Sequence, residues 1–466
     1  MKNLFFLFVF IIPFFCFTQK EGNTWYFGYN AGLDFNSGSP VALTDGALST
    51  FEGCSSISDT TGAILFYTDG VSVWNKNHTL MPNGNGLLGH FSSTQSSIIV
   101  RKPGSFYLYY IFTVDHLGFS NGLRYSEVDM SLNSGLGDIT SNKNIPITSP
   151  SCEKITAIQH KNNEDYWIVC QIPNSKNINS YLLTSTGLNL SPIISSVGDS
   201  IGLVAETLGY LKASINGDKL VSVNWSIDKV QIFQFDNSSG KVSKPILLSG
   251  FRDRNPYGAE FSGNGEVLYV SVAGSGSILG EIYQFDLSSG EELIIQNSRI
   301  ILGSSLNQGG ALQLAPDNKI YYARNGALSL GVINNPDNVG VSCNYVKNGM
   351  PLGGKSSGLG LPNFTGSIML DNIRYFSSIN IPNVFTPNGD LINDRFSLTL
   401  KDILSIEGRI YNRWGQEMFF WDKLNVSWDG KHNSIDASEG TYYYIIKAIG
   451  IDGKSYLKRG SFSLFR

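Results

Sequence analysis

The side chains best suited to acid–base chemistry and metal binding are few and widely separated in this sequence. No two of its five histidines share the His-x-x-x-His spacing of a helical zinc site. These histidines are His78, His90, His116, His160 and His432. Four cysteines follow the N-terminal segment, and their spacing fits no zinc pattern, which leaves both disulfides and buried free thiols open. They are Cys54, Cys152, Cys170 and Cys343.

One short motif resembles a nucleophile site. Residues 354–358 read Gly-Lys-Ser-Ser-Gly, which matches the Gly-x-Ser-x-Gly elbow with Ser356 at its centre. That elbow requires a strand before it and a helix after it. The stretch instead lies in a glycine-rich loop, so the sequence predicts no nucleophilic role for Ser356.

A second candidate is a cluster of oxygen ligands near the C-terminal end. Asn388, Asp390, Asn393 and Asp394 fall within seven residues and offer the side-chain oxygens that calcium prefers. The same residue types are ordinary constituents of tight turns. Because the Gly and distal Glu of an EF-hand loop are missing, we favour a turn, with calcium as the alternative cofactor.

Composition limits the classes of protein to consider. Of 466 residues, 42% are apolar and 15% are charged, against about 25% in an average protein. Such a chain can bury a core, so it is not disordered. The net charge is −4, and no basic cluster longer than two residues occurs, which argues against nucleic acid as a partner.

The N-terminal segment has the pattern of an export signal. Lys2 precedes an uncharged apolar run over residues 4–17, and Thr18, Gln19 and Lys20 follow it. The run is too short for a spanning helix, and residues 1–19 are predicted to be a cleaved signal peptide. A lipid anchor at Cys16 is disfavoured by the bulky residues before it. No later run is long enough for a transmembrane helix in the mature chain.

A repeat of about fifty residues occupies most of the chain. Residues 232–240 read IFQFDNSSG, and residues 282–290 read IYQFDLSSG. An aromatic strand ending in Asp, followed by Ser-Ser-Gly, is typical of a hairpin. Weaker copies centre on residues 36, 75, 129, 184 and 334. From residue 75 onward, successive copies, including the two clear ones, are 48 to 55 residues apart.

Repeats of this length, with about four strands each and no sustained helical periodicity, predict a β-propeller. The first copy lacks room for a first strand, whereas residues 360–364 supply a spare one. We therefore expect residues 24–370 to form seven blades, with this spare strand inside the blade of residues 24–43, so that no sheet edge stays open. Six or eight blades remain alternatives.

After residue 380 the sequence changes character, and its motifs resemble the type B C-terminal sorting domain of type IX secretion, also called the gliding motility-associated C-terminal domain. The residues that carry this resemblance are Thr386, Pro387, Asn388, Gly389, Asp390, Asn393, Asp394, Asn412, Arg413, Trp414, Gly415, Trp428, Asp429, Gly430, Gly440, Thr441, Tyr442 and Tyr444. Leu391 departs from the family pattern, which usually has Gly there.

The resemblance implies a small immunoglobulin-like β-sandwich over residues 381–466 that is read by the type IX machinery at the outer membrane. It also implies export through the periplasm of a Gram-negative bacterium to the cell surface or the medium. Trp414 and Trp428 are expected to anchor the core of this domain.

Taken together, the sequence predicts an all-β protein, a seven-bladed propeller followed by a sandwich, that binds or adheres to an unknown extracellular protein or glycan. The alternative is a secreted propeller enzyme, a hydrolase or lyase acting on glycan or peptide. Glu206 and Glu260 are the carboxylates that such an enzyme would place near the axis. Trp74, Trp167 and Trp225 are expected to pack in the core, since a carbohydrate platform would need them exposed.

Overall fold

The computed structural model describes residues 20–251, 255–274, 278–369, 378–390, 392–401, 403–424, 426–450 and 455–466. The predicted signal peptide and Leu391 lie outside these residues. The chain divides into two compact units, Met1–Ile373 and Arg374–Arg466, called here the propeller unit and the C-terminal unit. No helix among the described residues is long and apolar enough to cross a bilayer.

Antiparallel sheets built from consecutive strands make up the propeller unit. The first sheet contains β1 (Thr24–Phe27), β2 (Ala31–Asp34) and β3 (Val41–Leu43). The second contains β4 (Ser55–Ser58), β5 (Ile64–Thr68), β6 (Ser72–Asn75) and β7 (Leu80–Asn85). The third contains β8 (Ser97–Arg101), β9 (Leu108–Val114), β10 (Leu123–Asp129), β11 (Asp138–Ile139) and β12 (Ile145–Thr148). The fourth contains β13 (Ile155–Gln159), β14 (Tyr166–Gln171), β15 (Ser175–Thr184), β16 (Gly187–Leu188) and β17 (Ile193–Ile201).

Three further sheets complete this unit. The fifth contains β18 (Leu211–Ala213), β19 (Lys219–Asn224), β20 (Lys229–Asp236) and β21 (Lys241–Ser249). The sixth contains β22 (Pro256–Phe261), β23 (Val267–Val272), β24 (Gly280–Asp286) and β25 (Ile300–Ser305). The seventh contains β26 (Gly309–Leu314), β27 (Ile320–Arg324), β28 (Ser329–Ile333) and β29 (Tyr345–Pro351). The α-helix α1 (Glu292–Asn297), which the sequence did not predict, precedes β25.

The first strands of successive sheets lie next to one another around a common axis. Strands β4, β8, β13, β18, β22 and β26 contact their neighbours in this order. Apolar clusters fill the space between adjacent sheets; Val100 and Phe112 of the third sheet, for example, pack with Ile155 and Ile168 of the fourth. This radial arrangement of consecutive antiparallel sheets confirms the predicted β-propeller.

The ring is closed by residues 356–363, called here the closing segment. The Leu359 N–H donates to the Phe51 carbonyl at 2.7 Å, and the Leu359 carbonyl accepts from the Ala311 N–H at 2.7 Å. The segment therefore joins the seventh sheet to the chain before β4. It forms isolated bridges, Tyr29 with Ser356 and Cys54 with Pro362, instead of the predicted continuous strand. The count of seven blades stays a prediction.

The C-terminal unit is a sheet domain. Its strands are β30 (Ser378–Asn380), β31 (Val384–Phe385), β32 (Thr399–Lys401), β33 (Ile403–Tyr411), β34 (Glu417–Trp421), β35 (Lys431–His432), β36 (Ile435–Asp436), β37 (Gly440–Gly450) and β38 (Ser455–Leu464). The main sheet has the order β31-β38-β37-β33-β34, and one face of it covers an aromatic core around Trp428, Phe396 and Phe462.

The two tryptophans expected in that core differ. Trp428 is completely buried, as predicted, but Trp414 is 76% exposed, so its prediction as a core anchor was wrong. The reason is the turn chemistry of Asn412 and Gly415, which places Trp414 at the tip of the β33–β34 hairpin.

The four cysteines at 54, 152, 170 and 343 are buried free thiols, which resolves the alternative left open by the sequence.

Candidate functional site

Charged side chains lie buried along the propeller axis. The Lys212 Nζ of β18 is 3.1 Å from the Glu260 Oε2 of β22, and both side chains are almost fully buried. Lys212 also donates to the side-chain oxygen of Gln313 in β26. These three residues line a cavity of about 20 Å³, which has room for one water. The axis is thus filled by a paired polar network instead of an open channel.

Nearer the other end of the axis, Glu153 is held just before β13. Its Oε1 accepts from the Thr94 hydroxyl at 2.8 Å, and its Oε2 accepts from the Leu117 N–H at 3.1 Å. Burial raises the pKa of Glu153 to about 7, although these hydrogen bonds act to lower it. Burial also lowers the pKa of the adjacent Lys154 to about 8, and its ammonium group donates to the Val223 carbonyl.

A second buried carboxyl, Glu52, lies beside Glu153. Burial, and then the charge of Glu153, raises the pKa of Glu52 well above its ordinary value, which favours its neutral form. The hydroxyls of Tyr257 and Ser92 act on it in the opposite direction. Neighbouring carboxyls whose surroundings shift their pKa values are an arrangement used in acid–base catalysis. Here both are buried, and the two oxygens of Glu153 already accept hydrogen bonds.

Above Glu153, four rings form an exposed surface, called here the mouth cluster: His90, Phe91, His116 and Phe119. The two imidazoles stack at 3.8 Å between centroids, with an interplanar angle of 16°. Phe91 lies 4.4 Å from His90, and Phe119 meets His116 edge-on at 4.7 Å. Phe91 and Phe119 are 54% and 48% exposed.

The backbone holds these rings in place. The Phe91 carbonyl accepts from the Glu52 N–H at 3.3 Å, which ties the cluster to the axis. Asp115 caps the 3-10 helix His116–Gly118 by accepting from the His116 N–H at 2.9 Å. Burial, followed by the neighbouring His116, lowers the pKa of His90. The lowered pKa favours the neutral form of His90, whose ring stacks on His116.

Two residues with strained backbone lie at the same place. Leu117 and Val204 have positive φ angles of 53° and 55°, a region that branched side chains rarely adopt. The 3-10 helix Val204–Thr207 contacts the helix His116–Gly118, so the two strained residues lie on adjoining elements. Strained backbone of this kind often marks a ligand site.

The carboxylates and serine singled out from the sequence do not converge. Glu260 is committed to Lys212, whereas Glu206 lies in the helix Val204–Thr207 and accepts from the Gly202 N–H at 2.7 Å. Ser356 belongs to the closing segment, and no helix follows it among residues 357–363. These residues provide no catalytic constellation in the part of the chain that the structure describes.

The predicted tryptophans of the propeller pack inside it. Trp167 is buried, and the partly buried Trp74 stacks on Tyr67 with centroids 5.6 Å apart. Trp225 meets Tyr257 edge-on at 5.6 Å. None of the three forms an exposed platform.

The oxygen cluster of the C-terminal unit is organised as a turn. The Asp390 N–H donates to the Asn388 Oδ1 at 3.1 Å, and the Gly389 N–H donates to the Asp394 Oδ1 at 2.7 Å. Asn393 has a positive φ of 55°. No group of three or more His, Cys, Asp or Glu side chains within the described ranges is placed to hold a metal.

The remaining motif residues of the C-terminal unit divide between its core and its turns. Trp428 donates its indole N–H to the Lys431 carbonyl at 2.8 Å, Asp429 accepts from the Lys431 N–H, and Gly430 has φ +78°. Gly440, Thr441, Tyr442 and Tyr444 belong to β37. The turn at Asn412, Arg413, Trp414 and Gly415 presents the Trp414 ring to solvent.

Comparison with known protein families gives a match for the C-terminal unit. Residues 379–464 match the family of the CHU_C type IX secretion signal domain, so the C-terminal unit carries a signal for export across the outer membrane. No curated protein matches the chain.

Three solved structures illustrate a distant likeness to the chain. A protein from Lactobacillus plantarum has 11% identity over 73% of this chain and 98% of its own, with a TM-score of 0.44. The Dos1 propeller has 12% identity over 73% and 86%, with a TM-score of 0.43. Hydrazine synthase from Kuenenia stuttgartiensis has 9% identity over 67% and 76%, with a TM-score of 0.38. These likenesses carry no argument about ligand or activity.

Sequence reasoning missed the mouth cluster. Its rings come from two loops more than twenty residues apart, and neither loop carries a motif. The usable signal was the pair of histidines at loop positions, each next to or near a phenylalanine.

Proposed function

We propose that this protein is an exported ligand-binding protein. Its C-terminal unit directs the chain through the type IX machinery to the cell surface or the medium. Its propeller then binds an extracellular protein or glycan at the mouth cluster. The export step is supported by the match of residues 379–464 and by the apolar N-terminal segment, which has the pattern of a signal peptide.

The single observation that carries the binding role is the mouth cluster itself. Phe91 and Phe119 expose about half of their surface, and the stacked His90 and His116 hold them from behind. Rigid aromatic rings supply contact area at a low cost in conformational entropy. The strained Leu117 and Val204 beside them add the backbone signature of a ligand site.

The enzyme alternative depends on Glu153, whose pKa of about 7 would suit a general acid or base. A substrate would have to displace both the Thr94 hydroxyl and the Leu117 N–H from its carboxylate oxygens. Glu153 is also fully buried. This arrangement favours a structural role for Glu153 beneath a binding surface.

A binding screen tests the proposal. The full chain, purified from the medium, is applied to a printed glycan array and to an array of extracellular-protein peptides. Replacing both Phe91 and Phe119 by Ala should weaken binding to the ligand found by roughly a hundredfold, about tenfold for each ring. Phe106→Ala is the matched control, since Phe106 is 84% exposed and lies outside the mouth cluster. An equal loss in the control, or no binding on either array, would contradict the proposal.

A further inference from the structure

The tip of the β33–β34 hairpin in the C-terminal unit exposes a tryptophan that lies outside the core. Trp414 is 76% exposed, whereas the other two tryptophans of this unit, Trp421 and Trp428, are 5% and 0% exposed. A single exposed apolar residue is ordinary on a protein surface. The position of Trp414 needs an explanation because the surrounding residues fix it there.

Asn412 builds the turn that presents the ring. Its Oδ1 accepts from the N–H groups of Trp414 and Gln416, each at 3.0 Å, and its Nδ2 donates to the Gln416 side chain at 3.0 Å. Its carbonyl accepts from the Gly415 N–H at 3.0 Å, and Gly415 has the left-handed φ of +80° that glycine tolerates. The ring of Trp414 therefore projects from a pre-organised turn and not from a flexible loop.

A cation accompanies the ring. The Arg413 guanidinium lies 4.3 Å from the Trp414 ring centroid, within cation–π distance. On the adjoining strands Arg409 repeats the arrangement over Phe420 at 4.9 Å, but it is paired with Glu407 and Glu417. No carboxylate among the described residues pairs with Arg413. The tip thus presents an indole with a stacked, uncompensated guanidinium.

We propose that the Arg413–Trp414 tip is the element by which the C-terminal unit docks onto a protein of the type IX machinery. The partner's surface would have an apolar slot for the indole and a carboxylate for Arg413. Trp and Arg are the residues most enriched at interface hot spots, and a pre-organised tip loses little entropy on binding. This inference rests on the export role proposed above and names the surface that performs it.

A membrane surface is the competing occupant, because Trp and Arg also favour lipid interfaces. Stable association with a bilayer requires a broad apolar face or a lipid chain. Around Trp414 the tip offers the polar side chains of Asn412 and Gln416 and the bare backbone of Gly415 instead. The geometry is that of one ring entering one pocket.

The experiment compares full-length variants in a type IX-competent host that exports the wild-type chain. The fraction of chain reaching the surface and medium, relative to the periplasm, is measured for Trp414→Ala, Arg413→Lys and a chain lacking residues 378–466. Ile435→Ala is the matched control, because Ile435 is 73% exposed on another hairpin of the same unit. Thermal unfolding of the purified variants shows whether folding is unchanged.

We expect Trp414→Ala to lower the exported fraction at least tenfold with unchanged unfolding. Arg413→Lys should also lower the exported fraction, because Lys cannot stack as a planar group, but by less than Trp414→Ala. Normal export of Trp414→Ala, with the truncated chain retained, would overturn the docking tip and leave the export role standing. Normal export of the truncated chain would overturn both. Trp414-dependent binding of the purified chain to phosphatidylethanolamine–phosphatidylglycerol vesicles would overturn the protein partner in favour of the membrane.

Discussion

The backbone N–H of Leu117 donates to the Glu153 Oε2 at 3.1 Å, and this bond joins the mouth cluster to the buried axis. Leu117 has a left-handed φ of 53°, so it depends on such a partner to stay in place. The exposed rings at the mouth are therefore positioned from below by a carboxylate that solvent does not reach. Substitution of Glu153 should therefore change both the stability of the propeller unit and the position of the rings in the mouth cluster.

The pKa of Glu153 predicts a loss of stability as the pH rises. Burial raises this pKa from the ordinary 4.5 to about 7 in the folded protein. Between these values the folded state binds more protons than the unfolded state, so the free energy of unfolding falls with pH, by about 3 kcal/mol over the whole window. Urea unfolding measured from pH 4.5 to 7 should show this fall in the wild type and a smaller one in Glu153→Gln.

Two neighbours set the limits of that measurement. Lys154 has a pKa lowered to about 8, which acts in the opposite direction above pH 8, so the comparison stays below it. Glu52 is coupled to Glu153, because the charge of Glu153 is the second cause of its raised pKa, so Glu153→Gln also removes that part of the Glu52 shift. A wild type and a Glu153→Gln variant with the same pH dependence would show that Glu153 is solvated in the folded state.

The buried pair on the axis predicts a large single-mutant effect. Lys212→Met leaves the Glu260 carboxylate buried without its cation, which should lower the free energy of unfolding by about 3–5 kcal/mol. The double variant Lys212→Met, Glu260→Leu should recover most of that loss. The exposed pair of Lys219 with Asp218 is the control, and Lys219→Met should cost less than about 1 kcal/mol. Equal effects of both Lys variants in denaturant unfolding would contradict the buried pairing.

Closure of the ring predicts an effect at Gly360. A Cβ there would collide with the carbonyl of Glu52, because the closing segment lies directly against the chain before β4. Gly360→Ala should therefore lower the midpoint of thermal unfolding of the propeller by several degrees, as expected for a loss of about 2 kcal/mol or more. Gly354→Ala, where the added Cβ meets nothing, is the control and should cost only the strain of its left-handed φ. A harmless Gly360→Ala would mean that residues 356–363 do not close the ring.

Much of this fold could be predicted because its repeats carry local turn chemistry. In the repeat copy of residues 232–240, Asp236 caps the β20–β21 hairpin by accepting from the Ser238 N–H at 2.9 Å. The hydroxyls of Ser238 and Ser239 lower the pKa of Asp236 to about 2. The copy of residues 282–290 has nearly the same sequence, but the residues after Gly290 form the helix α1 before β25. Local signals therefore locate the turn but do not predict the element after it.

The candidate sites could be predicted less well, for two physical reasons. The mouth cluster assembles from loops that only the ring brings together, so no spacing along the chain reveals Phe91 beside Phe119. Trp414 was expected in the core because of its size, whereas the Asn412 turn decides that it points outward. Where a large ring lies within a turn motif, the turn chemistry predicts its exposure better than its hydrophobicity does.

The turn contacts of Asn388, Asp390 and Asp394 predict how the protein responds to calcium. The Asp390 Oδ1 accepts from the Ile392 N–H at 2.8 Å, and the Asn388 Oδ1 and Asp394 Oδ1 also accept backbone N–H groups. These oxygens are engaged without a metal, so millimolar calcium should leave the midpoint of thermal unfolding of the C-terminal unit within a degree of its value in chelator. A rise of several degrees that Asp390→Asn abolishes would establish a calcium site instead.

The most direct test of the account is where the chain goes without its C-terminal unit. In a type IX-competent host, chains ending at residue 377 and full-length chains are compared by fractionation and surface proteolysis. We predict that the truncated chain accumulates in the periplasm with a folded, protease-resistant propeller, while the full-length chain reaches the surface or the medium. A truncated chain that is exported as efficiently as the full-length protein would contradict the assignment of the C-terminal unit as the export signal.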